Sequence, residues 1–154
     1  MAGSFFARGG WWVVGQSALM LAVAALSVVF RRSWHCSTGA GIGVALCVMG
    51  AAFGIAGACV LGRSRTMFPK PRENATLVRH GIYAHVRHPL YTSVMLLSLG
   101  WGLIWESWPA CVAALLLAVF LDAKARWEEI WLREKFPDYS AYQEQAGRFF
   151  PWLY

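Results

Sequence analysis

Two long stretches of this chain carry no charge. From Trp11 to Phe30 there are twenty residues without Asp, Glu, Lys or Arg, and from Gly39 to Gly62 there are twenty-four more. A helix rises about 1.5 Å per residue, so about 20 apolar residues cross the hydrocarbon core of a bilayer. Both stretches therefore read as spanning helices. A third apolar region, Tyr91 to Leu121, has thirty-one residues, too many for one upright helix and few for two, and Glu106-Ser107-Trp108-Pro109 interrupts it. Ser is a favoured helix cap and Pro is tolerated in a first turn, so the tetrapeptide predicts a tight turn and the region a helical hairpin. After Leu121 the pattern becomes amphipathic and charged, DAKARWEEIWLREKF, with Asp122/Arg126, Lys124/Glu128 and Glu129/Arg133 spaced i, i+4. Such pairs support a helix that leaves the membrane, and Pro137 ends it.

The expected architecture is an all-α integral membrane protein forming one domain over residues 1–154. Four transmembrane helices are expected at about 11–30, 39–62, 90–105 and 109–135. The last two form the hairpin; a cytosolic loop precedes it, and a C-terminal amphipathic helix and a tail over 137–154 follow. Composition agrees, with 58% hydrophobic and 14% charged residues against roughly 25% charged in globular domains. Arg8 and Ala22-Val23-Ala24 give the first run some features of a secretory signal. The run continues past them to Phe30 and ends in Arg31-Arg32, which favours a retained span.

Charge sets the expected orientation. Arg63, Arg65, Lys70, Arg72, Arg79 and Arg87 lie between the second and third helices with Glu73 as the lone acid, and Lys124, Arg126 and Lys135 follow the hairpin, whose turn has no basic residue. Excess Lys and Arg marks the cytoplasmic side. Both termini and the 63–90 loop are thereby placed in the cytosol of a multi-pass protein of a bacterial inner membrane or its equivalent. The net charge of +6 follows from basic loops over anionic lipid and calls for no nucleic acid partner.

Several chemistries are disfavoured. Cys36, Cys47, Cys59 and Cys111 form no C-x-x-C pair, which argues against a thiol oxidoreductase. Gly39-Ala40-Gly41-Ile42-Gly43 follows no strand and opens a span, so it is no dinucleotide loop; Gly39/Gly43 and Gly50/Gly54 suit close helix approach instead. The first two helices hold no charged side chain, against a proton-coupled transporter. His80, His85 and His88 have no carboxylate or thiol among them, so no metal site is assigned.

Unusual polar residues concentrate in two segments. GIYAHVRHPLY (81–91) stands at the mouth of the hairpin, where Arg, His and Tyr can simply anchor a helix at the interface. ARWEEIWLREKFPDYSAYQEQAGRFFPWLY (125–154) is rich in aromatic and charged residues. In it the adjacent Glu128 and Glu129 point about 100° apart on a helix. One of them can face a polar site while the other pairs with Arg133 in water.

Together the two segments carry a pattern, G-x-Y-x-x-x-R-H-P-x-Y, an apolar hairpin, then E-E-x-x-L-x-x-x-F-x-x-Y-x-x-Y and a near-terminal proline. It is set by Gly81, Tyr83, Arg87, His88, Pro89, Tyr91, Glu128, Glu129, Leu132, Phe136, Tyr139, Tyr142 and Pro151. Over about the last eighty residues the chain resembles the isoprenylcysteine carboxyl methyltransferases, with a looser likeness to phospholipid N-methyltransferases. The resemblance implies a membrane methyltransferase that uses S-adenosyl-L-methionine. Cofactor contacts are implied for Thr76, Leu77, Val78, Tyr83, His88, Pro89, Tyr91 and Glu128. The catalytic side is implied for Lys124, with Arg126 as its alternative for meeting the acceptor, and for Arg87. The chain departs from the family in Lys124, where Arg is common, and in Phe136-Pro137, where Phe-Gly is usual.

Methyl transfer from a sulfonium is an in-line displacement that needs positioning and exclusion of water. A carboxylate acceptor needs a cation to orient it, whereas an amine must lose a proton, for which His85 or His88 would serve. The leading expectation is O-methylation of the carboxylate of an isoprenoid-like or otherwise lipophilic or lipid-linked substrate that enters from the bilayer. The alternatives are a phospholipid amine or another lipophilic nucleophile and, outside catalysis, a silent membrane scaffold or a small transporter.

Overall fold

The structure, a computed structural model, describes residues 9–35, 38–62 and 76–151. Cys36 and the basic residues Arg63, Arg65, Lys70 and Arg72 lie outside the described residues. Among the described residues five α-helices follow in order: α1 (Gly10–Val29), α2 (Gly39–Leu61), α3 (Pro89–Ile104), α4 (Trp108–Lys135) and α5 (Tyr139–Gln145). A 3-10 turn, Gly81–Ala84, precedes α3. Among the described residues three helices, α1, α2 and α4, are long and apolar enough to cross a membrane. With 16 residues, α3 is about 24 Å long, shorter than the other three.

The ends of these helices follow from local chemistry. Pro89 occupies the first turn of α3, where a missing N–H costs no hydrogen bond. Ser107 caps α4 by accepting from Ala110 N at 3.4 Å, and its hydroxyl donates to Leu26 O at 3.0 Å. The hairpin turn is thereby tied to the end of α1, and Arg32 N donates to Trp105 O at 2.9 Å beside it. At the other end, α4 continues past Leu121, where its charge-free run ends, as one helix to Lys135, and Phe136 closes it.

Packing pairs α2 with α3 and α1 with α4, while α3 also rests on α4. Between α2 and α3 the backbones touch. A Cβ on Gly43 would stand 2.7 Å from Gly100 O, and one on Gly100 would stand 2.6 Å from Gly43 O. Lipid tails are as apolar as the helices, so association here depends on close van der Waals fit, and glycine supplies it. Val23 packs on Ala113 and Ala114 between α1 and α4, and Trp12 meets Phe120 edge-on at 5.1 Å. The remaining apolar faces, with Leu21, Val29, Val48 and Ile55 exposed, point outward as lipid-facing surface would.

The segment expected as a tail is structured. Pro137 stops α4, and α5 then buries Tyr139 and Tyr142, spaced i, i+3, with Ala146 against Leu77, Leu132 and Phe136. After α5, residues 146–149 run alongside 85–88 through a parallel bridge between Val86 and Gly147. Gly147 N donates to His85 O (3.1 Å), Arg87 N to Gly147 O (2.9 Å) and His88 N to Arg148 O (3.0 Å). Thr92 Oγ1 donates to Phe149 O at 2.8 Å. The C-terminal segment is thus a strap across the start of α3.

Gly43→Val should lower the thermal stability of the detergent-solubilised protein by about 1–3 kcal/mol, the usual cost of overpacking. Gly41→Val, where an added Cβ meets nothing within 4 Å, should leave the melting temperature nearly unchanged in the same circular-dichroism experiment.

Candidate active site

The polar residues of 81–91 and of the extension of α4 meet beneath the strap. Glu129 lies at the centre with its side chain 2% exposed. Its Oε1 accepts from Arg87 Nε at 3.0 Å, His88 Nε2 at 3.2 Å and Arg148 Nε at 3.3 Å. Its Oε2 accepts from Arg148 Nη2 and Gln143 Nε2, both at 3.1 Å. Arg148 also reaches Asp122 Oδ1 at 3.0 Å. Arg87 continues to the carbonyls of Gln143, at 2.9 Å, and Ala146. Burial alone would raise the Glu129 carboxyl, but the His88 hydrogen bond and charge, followed by Arg148 and Arg87, outweigh it and hold the group down at about 2.

One turn of chemistry away, Glu128 is the more accessible carboxylate, with its side chain 21% exposed. Tyr91 Oη donates to its Oε2 at 2.8 Å, and His88 Nδ1 stands 3.8 Å from the same oxygen. The rings of His88 and Tyr91 stack nearly parallel at 5.3 Å. Lys124 is 2% exposed; its Nζ donates to Gln16 Oε1 of α1 at 2.6 Å and lies 5.0 Å from the Tyr91 ring centroid. With His88 and Lys124 both against it, the Tyr91 ring is engaged within the protein, and its hydroxyl bond to Glu128 is what it brings to the site.

The structure therefore brings together Arg87, His88, Pro89, Tyr91, Lys124 and Glu128. Tyr83 is buried beside them, its carbonyl accepting from Tyr142 Oη at 2.5 Å. Burial pushes the Tyr142 hydroxyl up to about 12, so it remains a donor at any ordinary pH. Leu77 is drawn into the Tyr139–Tyr142–Ala146 cluster, with Thr76 exposed and Val78 partly buried on either side of it. Arg79 pairs with Asp138 of the strap side at 3.5 Å. Arg126 does not join this group: its side chain is 59% exposed and paired with Asp122 at 2.8 Å.

One pairing expected from helical spacing is corrected. Glu129 does not pair with Arg133 in water; it is the more buried of the two glutamates and binds Arg87, His88 and Arg148. Spacing along α4 could not reveal this, because two of those partners arrive from the loop before α3 and one from the strap. Glu129, Arg148, Gln143 and Gln16 were missing from the residues assigned to the site. Gln16 did carry a signal, being the lone amide in the first charge-free run, and a polar side chain within a span usually has a partner. Arg148 had a weaker one, as a cation set among the aromatics of RFFPW. Among the described residues no group of three or more His, Cys, Asp or Glu is placed to hold a metal ion.

The fold and site define an α-helical membrane-type bundle with a polar, strap-covered cluster of side chains at one end. Comparison with known proteins sharpens this. The family model for phospholipid methyltransferase matches residues 39–139, and the chain belongs to that family. The fold matches the eukaryotic intramembrane Ras methyltransferase, isoprenylcysteine carboxyl methyltransferase, with a TM-score of 0.67 over 99% of this chain and 54% of that one, at 21% identity. The cobalt-zinc-cadmium resistance protein CzcN of Cupriavidus metallidurans is 40% identical over 83 residues, 53% of this chain and 38% of its own length. The nickel-cobalt-cadmium resistance protein NccN of Alcaligenes xylosoxydans xylosoxydans is 29% identical over 147 residues, 95% of this chain and 65% of its own length. The chain thus spans from about a third to two thirds of the length of these relatives.

Glu129 generates a pH-dependent prediction. Its carboxyl titrates at about 2 when folded and near 4.5 ordinarily. The unfolded chain therefore takes up the proton first as pH falls. The stability Glu129 contributes is complete above about pH 4.5 and is lost progressively toward pH 2. Glu129→Gln should be less stable at pH 7 by about 3 kcal/mol, as expected on removing one charge of a buried pair. The difference from wild type in denaturation midpoint should shrink steadily between pH 5 and pH 3.

Proposed function

We propose that this chain is an S-adenosyl-L-methionine-dependent methyltransferase acting on a lipophilic acceptor that reaches the site from the bilayer, with the polar cluster on the cytosolic side and α3 as a fourth crossing. The observation that carries the reading is the convergence of Glu128, Tyr91 and His88 between the first turn of α3 and the polar extension of α4. Family membership and the fold of an intramembrane methyltransferase support it.

The donor set fits such a cofactor. A partly exposed carboxylate, Glu128, oriented by the Tyr91 hydroxyl, complements a ligand that carries a sulfonium and an ammonium group. His88, Pro89, Tyr83 and the stretch Thr76–Val78 would complete the cofactor side. When bound, the cofactor supplies an electrophilic methyl group. The protein's part is to hold that group, orient the acceptor and keep water out. Arg87 is tied to Glu129 and to the carbonyls of Gln143 and Ala146, so its role is to hold the site's frame together. Lys124, buried against Gln16 on the side of α1, is the cation placed to orient a carboxylate acceptor, such as that of an isoprenoid-like substrate.

A second reading has its own observation. His88 has a buried carboxylate behind one ring nitrogen, the arrangement that orients an imidazole as a general base. That would serve a phospholipid amine, which must lose a proton before it can accept a methyl group.

Calorimetry in detergent should show binding of S-adenosylmethionine, and Glu128→Ala should weaken it roughly thirtyfold, or about 2 kcal/mol, typical for a hydrogen bond to a charged group. Absence of binding by the wild type would overturn the reading. Mass spectrometry of lipid extracts supplied with an isotopically labelled methyl donor would then separate carboxylate from amine acceptors. If the acceptor is a carboxylate, Lys124→Ala should raise its KM and spare cofactor affinity, while Arg126→Ala should be silent in both.

A further inference from the structure

The sequence motif placed no role on the strap, yet the strap's single cation touches the centre of the site. Arg148 holds Glu129 side-on with two nitrogens, Nε to Oε1 at 3.3 Å and Nη2 to Oε2 at 3.1 Å. Its third nitrogen, Nη1, anchors to Asp122 at 3.0 Å. Its own carbonyl accepts from the backbone N–H of His88 at 3.0 Å. Arg148 therefore grips His88 twice, directly at the main chain and through Glu129 at the ring. Arg87 shares the same carboxylate, and its other contacts are carbonyls of Gln143 and Ala146, which brace the segment leading into the strap.

An ionised carboxylate has only acceptor sites. Glu129, facing two guanidinium groups and 2% exposed, is ionised, so His88 Nε2 must be the donor in their 3.2 Å contact. The proton on Nε2 leaves Nδ1 as the variable position, and Nδ1 is the nitrogen that faces Glu128 at 3.8 Å. Which ring nitrogen carries the proton is set by the hydrogen bond made by the other one or by its partner, a relation familiar from imidazoles oriented by carboxylates. Parallel stacking on Tyr91 at 5.3 Å and the tilted ring of Phe149, another strap residue, at 6.2 Å confine the ring plane.

We propose that Arg148 is a positioning residue: through its two-pronged hold on Glu129 it keeps the proton of His88 on Nε2 and turns Nδ1 toward Glu128 and the ligand. The strap thereby connects the C-terminal end of the chain to the chemistry of the α3 mouth without touching the ligand itself. This inference rests on the methyltransferase reading only for its ligand; the state of the His88 ring can be read without one.

The test uses the full chain in detergent with 15N-labelled histidine, the His88 signals being assigned by their loss in His88→Gln. The variants are Arg148→Met, Arg148→Lys and Asp122→Asn, and each is followed by 15N chemical shifts, by calorimetric titration with S-adenosylmethionine and by circular dichroism. Wild type should show the Nε2–H pattern at His88. Arg148→Met should mix the tautomers and weaken cofactor binding by about tenfold or more, the usual effect of losing an outer partner of a site residue. Arg148→Lys, a point charge without the fork, should fall between the two. Asp122→Asn, which spares the Glu129 contact, should remain near wild type. A wild-type His88 protonated on Nδ1 alone, or an Arg148→Met protein with unchanged tautomer and affinity, overturns the proposal. If Arg148→Met does not fold, the order of the other two decides: Asp122→Asn as damaging as Arg148→Lys also overturns it. Wild type that fails to bind S-adenosylmethionine would sink the methyltransferase reading instead, and the tautomer measurement would still judge Arg148.

Discussion

A single buried carboxylate organises one end of this molecule. Glu129 sits on α4 where the helix has left its apolar stretch, and it collects donors from three separate parts of the chain: Arg87 and His88 ahead of α3, Gln143 at the end of α5, and Arg148 in the strap. Burying a charge is costly unless it is paired and fully hydrogen-bonded. Here those donors together pair and hydrogen-bond the charge, so the carboxylate imposes a common geometry on segments far apart in sequence. The parallel bridge between Val86 and Gly147 and the Thr92 bond to Phe149 O extend the same constraint along the backbone.

The rest of the fold supplies a frame for that cluster. Close glycine contacts fix α3 against α2, and Ser107 with Leu26 fixes the hairpin turn against α1. With its far end so held, α4 can carry Asp122, Lys124, Glu128 and Glu129 to the mouth of α3 in a fixed rotational order. Two adjacent glutamates then divide the work. Glu129 is spent on structure, facing cations inside the protein, and Glu128 keeps an accessible edge beside Tyr91. The α1 helix contributes more than a span, since Gln16 meets Lys124 and so touches the site from a part of the chain outside both sequence motifs.

Much of this was legible in the chain itself. Charge-free runs announce apolar helices because a membrane leaves the backbone no other partner than itself. The Ser-Trp-Pro turn announces the hairpin because capping is local chemistry. The likeness of RHPLY and the EE segment to one methyltransferase family pointed to the residues that do converge, His88, Tyr91 and Glu128. What failed was inference by spacing alone. Glu129 was matched with Arg133 because they lie one turn apart, whereas the resemblance left Lys124 and Arg126 as alternatives, and of these one is buried and the other faces outward. The tail was read as a tail because a seven-residue helix has no strong pattern of its own; α5 exists through the contacts that Tyr139 and Tyr142 make with Leu77, Leu132 and Phe136.

The sequence by itself determined what depends on neighbours along the chain: which segments are helical and apolar, where they turn, and which short motifs carry polar chemistry. Tertiary structure decided which of two adjacent carboxylates is buried, which of the cations Lys124 and Arg126 is buried beside Tyr91, and that an arginine six residues from the end holds His88 in place. The reason is physical. Helix formation and capping are set within a few residues, whereas the burial of a charge is settled by whichever distant donors the fold brings within about 3 Å of it.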